Sequence, residues 1–135
     1  MMYITKELAD AREQLVFGQP YDPKSYEMGG CKRFDRLSLN SAKDLVNLGL
    51  LDLADRQNDS PEARDMLDFV EDHGDGWYVH GYVISPTRDD CRVTLEGVGY
   101  SGEPLSMDDL LDFVDAFRFA DEFEVGKESA WCWYD

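Results

Sequence analysis

Acidic and imidazole side chains are concentrated in one short stretch of the chain. EDHGDGWYVH, residues 71–80, contains three carboxylates and two histidines. These are ligand types that zinc and related metals take in proteins. The spacing, however, matches no H-E-x-x-H pattern, no cysteine is close in sequence, and DHGDG is too short for an EF-hand loop. We therefore expect no metal and no cofactor, with His73 at the apolar edge of a helix end and His80 packed in a strand.

Cys31 is the best candidate for a reactive nucleophile, because Lys32 and Arg33 follow it and neighbouring cations lower a thiol pKa. GGCKRF carries no partner signature, and no general acid or base stands out among 29 acidic residues. The glycines of GVGYSG, residues 97–102, end a strand and do not open a helix as a dinucleotide-binding turn would. We therefore predict no catalytic residue and favour a non-enzymatic protein, with an enzyme of unrecognised type as an alternative.

Two segments 44 residues apart share a pattern. DMLDFVED, residues 65–72, and DLLDFVDA, residues 109–116, are identical at five of eight positions. At about 100° per residue, each segment predicts a helix with an apolar and an acidic side. The predicted apolar sides are Ala63, Met66, Leu67 and Val70 in the first helix, and Leu110, Leu111, Val114 and Phe117 in the second. The predicted acidic sides are Asp65, Asp68 and Asp72, and then Asp108, Asp112 and Asp115.

These acidic sides, together with Glu122 and Glu124 further along, are the predicted partner-binding residues. Neighbouring carboxylates on a helix lie about 5–6 Å apart at Cβ, which is similar to the spacing of successive phosphates. The pattern fits a basic protein partner, such as a nuclease or nucleic-acid-binding protein inhibited by a nucleic-acid mimic of the anti-CRISPR or anti-restriction kind. Alternatives are an immunity or accessory protein that neutralises a basic toxin, an acidic assembly protein, or helix sides that only meet water.

The net charge of −16 is distributed unevenly. Residues 1–43 carry seven Lys/Arg and six Asp/Glu, a net of +1, whereas residues 44–135 carry six and 23, a net of −17. Such a field disfavours direct binding to nucleic acid or anionic membranes and attracts basic surfaces. There is no apolar run of about 18 residues and no signal-like start, and the three cysteines are scattered. These features favour free thiols and a cytoplasmic location, and a homodimer is also compatible with them.

The 135 residues are predicted to form a single α+β domain. Residues 1–57 would supply two N-terminal helices, starting at residue 6 and near Asn40 or Ser41, separated by a long loop over residues 18–36. Residues 58–135 would supply two α-β-β units, the first capped by Ser60 with Pro61 in its first turn. The result is a four-stranded, mainly antiparallel sheet with helices packed on it. Aromatic residues on both faces of its strands make the uncovered face a second candidate interaction surface.

Overall fold

The computed structural model describes residues 1–26 and 29–135, which form an α+β fold around one antiparallel sheet. The sheet has five strands in the order β1-β2-β3-β5-β4. Its strands are β1 (Cys31–Leu37), β2 (Trp77–Ile84), β3 (Val93–Ser101), β4 (Glu122–Val125) and β5 (Ser129–Trp133). The helices are α1 (Lys6–Phe17), α2 (Leu39–Asn47), α3 (Ala63–His73) and α4 (Met107–Phe117). The α-β-β repeat is confirmed as α3-β2-β3 followed by α4-β4-β5.

The prediction of four strands is wrong by one, because β1 lies within the expected loop over residues 18–36. β1 pairs with β2, from Cys31 opposite Ile84 to Leu37 opposite Val79. Its sequence, CKRFDRL, is mostly charged and therefore lacks the apolar pattern that predicts a strand. Only Phe34 and Leu37 are buried. Residues 27 and 28 of the expected loop lie outside the described residues.

The helix ends follow their capping residues. The hydroxyl of Thr5 accepts from the Leu8 N–H at 3.1 Å, and that of Ser106 accepts from the Asp109 N–H at 3.1 Å. The cap of α2 is Ser38 rather than Asn40 or Ser41, since its hydroxyl accepts from the Ser41 N–H at 3.2 Å.

The expected start of α3 at Ser60 is wrong. Glu62 is the N-cap, and its N–H donates to the carboxylate of Asp65 at 3.2 Å in a capping box. Ser60 is buried, and its hydroxyl accepts from the Gln57 N–H and donates to the Pro61 carbonyl, both at 2.8 Å. Ser60 therefore closes the preceding loop, and the helix begins only after that loop is complete.

Aromatic rings from both repeat units form the centre of the core. Phe69 of α3 contacts Trp77 of β2, with ring centroids 5.0 Å apart, and Phe113 of α4, at 6.2 Å. Phe113 in turn stacks on Phe123 of β4 at 5.2 Å. α3 and α4 therefore pack on the same face of the sheet, and each contributes the phenylalanine of the shared pattern. None of the helices in the described parts of the chain is both long enough and apolar enough to span a membrane.

Candidate protein-binding surface

α3 and α4 contact each other through aromatic side chains, and both helices expose carboxylates. Phe69 of α3 contacts both Phe113 and Phe117 of α4. At the surface, Nε2 of His73 lies 3.0 Å from a carboxylate oxygen of Asp112. We call the six exposed carboxylates of the two helices the acidic helix surface, and its members are Asp65, Asp68, Asp72, Asp108, Asp112 and Asp115.

His73 links the two helices through stacking and hydrogen bonds. Its ring stacks on Phe69 with centroids 3.9 Å apart, and its Nδ1 donates to the Phe69 carbonyl at 2.8 Å. Partial burial lowers the pKa of His73, but the hydrogen bonds to Asp112 and the Phe69 carbonyl, with the charge of Asp109, outweigh burial and raise it overall. When the imidazole is protonated, a state that the raised pKa favours, it joins α3 to α4 by an ion pair with Asp112.

The cluster of His73, Asp109 and Asp112 brings three possible ligand atoms within 4.8 Å of one another. Two of the three groups, His73 and Asp112, are joined by a contact of 3.0 Å, which is an ion pair when the imidazole is protonated. The second histidine of the 71–80 stretch does not join the cluster, since His80 stacks on Trp131 of β5. The two histidines of this stretch therefore do not form one site, because His73 ends α3 and His80 lies in β2 against Trp131.

Few cations neutralise the acidic helix surface. Besides His73, the nearest is Arg118, whose guanidinium lies 3.7 Å from Asp115. Among residues 1–26 and 29–135, no Lys or Arg side chain comes within 4.0 Å of the carboxylates of Asp68, Asp72 or Asp108. These carboxylates are available to a cation from another molecule.

Several basic residues of the N-terminal third contact other groups of the same chain. Arg12 is buried and donates to the carbonyl of Ile84 at 2.9 Å. Arg33 pairs with Glu96 at 2.7 Å, and Arg36 lies over the ring of Tyr78 at 4.3 Å. Of these three, only Arg33 pairs with a carboxylate of residues 44–135, and that carboxylate, Glu96, lies outside the acidic helix surface.

Glu122 and Glu124 lie away from the acidic helix surface. Both are on β4, where Phe123 between them packs on Phe113 on the helix side of the sheet. Since side chains alternate along a strand, the two glutamates point to the opposite face. Their partners across the strands are Trp133 and Trp131 of β5. The predicted partner-binding residues thus divide into a helix set of six and a separate strand pair.

The predicted apolar side of α4 is wrong in one important position. Phe113 and Phe117 are buried, but Leu111, assigned to the apolar side, is exposed. Met107 is also exposed, and Phe119, just after the helix, is 85% exposed. The signal that could have shown this is the pair of phenylalanines four residues apart, because the two largest apolar side chains mark the buried side better than an average over all apolar residues.

The other face of the sheet carries an aromatic strip, which consists of Tyr78, His80, Trp131 and Trp133. The rings of His80 and Trp131 stack with centroids 5.1 Å apart. The strip lies close to the backbone because Gly97 and Gly99 are opposite His80 and Tyr78 in β3. A Cβ at either glycine would collide with these side chains. The glycines of GVGYSG therefore leave room for aromatic rings in a central strand, and the register between β2 and β3 shifts next to Gly97.

A buried carboxylate anchors one end of the aromatic strip. Glu96 is 2% exposed and accepts from Arg33 at 2.7 Å and from Nε1 of Trp133 at 3.0 Å. Burial raises the pKa of Glu96, with Trp133 and Arg33 acting against burial. Both carboxylate oxygens are therefore satisfied within the chain, and the group has a structural role.

Cys31 does not have the environment of an activated thiol. Desolvation raises the pKa of Cys31, and the charge of Arg33 offsets this only in part. The three cysteines are all free. Comparison of the chain with protein-family models, curated proteins and solved structures finds no significant match.

Proposed function

We propose that this chain is a non-enzymatic binding protein that docks a basic, nucleic-acid-handling protein through the acidic helix surface. The observation that carries the proposal is that, within the described residues, Asp68, Asp72 and Asp108 form no salt bridge with any Lys or Arg of the chain. Like charges on a helix cost a few tenths of a kcal/mol per pair, a cost that a basic partner would reverse.

The concrete form of the proposal is an inhibitor that mimics nucleic acid, of the anti-CRISPR or anti-restriction kind. Two parallel observations support it. The exposed carboxylates lie on two neighbouring helices, and residues 44–135 as a whole carry a net charge of −17. Binding of such a surface to a phosphate groove releases counterions and is therefore strongly salt-dependent. A protein that neutralises a basic toxin would use the same surface, and competition by DNA separates the two.

Capture by the immobilised chain at low and high salt tests the proposal. We expect a basic protein to be retained at low salt, released as salt rises, and displaced by duplex DNA. Substituting Asp68→Lys, Asp72→Lys and Asp108→Lys together should abolish its capture. Retention of the partner by this variant would show that the acidic helix surface only meets water. Retention that DNA does not displace would favour a toxin-like partner.

A charge-matched variant controls for net charge. Asp44, Asp59 and Asp89 are exposed, and none of them lies on α3 or α4. Changing all three to Lys moves the net charge from −16 to −10, since each change adds two, as in the test variant. We expect the control to retain the partner. Equal loss in both variants would indicate a general charge effect and would count against a defined surface.

A further inference from the structure

Equivalent positions in the two repeated helices differ sharply in exposure. Aligning DMLDFVED with DLLDFVDA pairs Leu67 with Leu111, which are 6% and 57% exposed. The same alignment pairs Ala63 with Met107, which are 2% and 67% exposed. The phenylalanines of the pattern, in contrast, are buried in both helices. One side of α4 is therefore open where the equivalent side of α3 is covered.

α2 is the element that covers α3 on this side. Leu67 and Glu71 of α3 line a groove with Leu39, Lys43 and Val46 of α2. The Lys43 ammonium lies 2.7 Å from the Glu71 carboxylate. The contact thus combines apolar side chains from an amphipathic helix with a lysine at its margin.

α4 has the same recognition elements without a covering helix. Leu111 corresponds to Leu67, and Asp115 corresponds to Glu71, the partner of Lys43. Asp115 is exposed, and its only salt bridge among the described residues is with Arg118 at 3.7 Å. Asp108 adds a second exposed carboxylate beside Met107. The exposed apolar side chains are therefore bordered by negative charge.

We propose that Met107 and Leu111 of α4 form the docking site for a basic amphipathic helix of a partner protein. The partner helix packs apolar side chains on Met107 and Leu111 and places Lys or Arg beside Asp108 and Asp115; the contact at Asp115 has its model in Lys43 of α2, which pairs with Glu71 of α3. This inference rests on the proposed function and specifies the part of the partner that is recognised. Helix-in-groove recognition uses this combination of apolar anchors and flanking charges.

A second copy of the chain is a poorer occupant for the same site. Two α4 helices packed on each other would bring Asp108 and Asp115 of one copy against the same residues of the other. Like charges opposed across an interface disfavour association. The net charge of −16 adds long-range repulsion between copies. Charge complementarity therefore selects a basic helix.

A synthetic peptide tests the site on the full chain. The probe is an amphipathic peptide of about 15 residues, with Leu at i, i+4 and i+7 and Lys at the flanking positions. Binding is measured by fluorescence anisotropy at about 0.15 M salt, where the Debye length is about 8 Å, and mapped by amide chemical shifts. We expect the shifts to centre on residues 107–115. A peptide with Ser in place of Leu should bind at least about 10-fold more weakly.

Matched variants of the chain separate this inference from the proposed function. Leu111→Gln should weaken the Leu/Lys peptide about 10-fold or more, whereas Leu48→Gln, at an exposed leucine following α2, should leave binding unchanged. If both peptides bind equally and Leu111→Gln has no effect, the helix-docking site is wrong while charge-driven binding stands. If neither peptide binds, the acidic helix surface attracts no basic ligand, and both proposals are overturned.

Discussion

His73 and His80 are seven residues apart in sequence, yet they lie on opposite faces of the sheet and in opposite electrostatic environments. His73 meets carboxylates from α4, and the pKa of its imidazole is raised although partial burial opposes this. His80 is buried under Trp131, and burial lowers the pKa of its imidazole, with Arg33 acting in the same direction and the Cys132 carbonyl against it. The same residue type thus has a raised pKa on one face and a lowered pKa on the other.

The difference reflects where the chain places its cations and its carboxylates. The helix face exposes carboxylates and brings few basic residues near them. The strip face draws in Arg33 and Arg36 beside aromatic rings, and its central carboxylate, Glu96, is buried and satisfied. Glu96, the buried carboxylate of the strip face, is therefore satisfied by the chain itself. On the helix face, Asp68, Asp72 and Asp108 have no salt-bridge partner among the described residues, and the binding proposal is placed there.

Of the substitutions that test this difference between the two faces, removal of a buried ring from α4 should have the largest effect on the free energy of unfolding. Phe113 is fully buried between Phe69, Trp77 and Phe123. We expect Phe113→Ala to cost about 3–5 kcal/mol in the free energy of unfolding. Leu111→Ala, two residues away and exposed, should change it by less than about 0.5 kcal/mol. Urea titrations of both variants provide the measurement, and similar losses in the two would mean that α4 is not held on the sheet through Phe113.

A methyl group added at Gly97 should have the next largest effect on the free energy of unfolding. It would disturb the packing on the strip face. A Cβ there would collide with the Cys132 carbonyl and with the His80 ring. We expect Gly97→Ala to destabilise the fold by about 1–3 kcal/mol. Gly126→Ala, in the β4–β5 turn, meets only ordinary contacts near Ser129 and should stay within about 1 kcal/mol of the parent. Thermal unfolding of both variants tests this, and full tolerance at Gly97 would show that His80 is not packed against the backbone.

The sequence predicts the repeated units well because their signals are local. Ser106 is followed by an amphipathic run, and the aromatic and β-branched residues of β2 and β3 mark strands. β1 was missed because its evidence is not local. Its Arg33 and Arg36 look like loop residues until Glu96 and Tyr78 of other strands supply their contacts.

The acidic helix surface was predictable in composition but incompletely in geometry. Periodicity places the six aspartates outward on each helix separately, and all six are exposed. It cannot show that His73 of one helix meets Asp112 of the other, since this depends on how the helices pack. For the same reason, the average direction of the apolar residues of α4 does not predict the orientation of the helix that exposes Leu111.

Acidification should weaken the fold through His80. Its pKa is lower in the folded protein than the unfolded value of about 6.5, so the unfolded state binds the proton more readily. The stability associated with neutral His80 is therefore complete above about pH 6.5 and is lost as pH falls toward the folded pKa, by at most about 1.4 kcal/mol per pH unit. Urea unfolding of the parent and of His80→Phe between about pH 7.5 and 5 measures this. The parent should lose more stability than the variant, and parallel curves would contradict the prediction.

His73 should contribute with the opposite sign and a smaller size. Its pKa is higher in the folded protein than in the unfolded chain, so the stabilisation is complete below about pH 6.5 and disappears as pH rises through the folded pKa. Asp112 is largely exposed, and such pairs contribute about 0.2–1 kcal/mol. Asp112→Asn should therefore cost more stability at about pH 5.5 than at pH 8 and should lower the pKa of His73 in an NMR titration. Asp44→Asn is the matched control, because Asp44 is an exposed helix aspartate on α2 and should leave that pKa in place. An unchanged titration of His73 in Asp112→Asn would mean that burial, the Phe69 carbonyl and Asp109, rather than Asp112, set the pKa of this histidine.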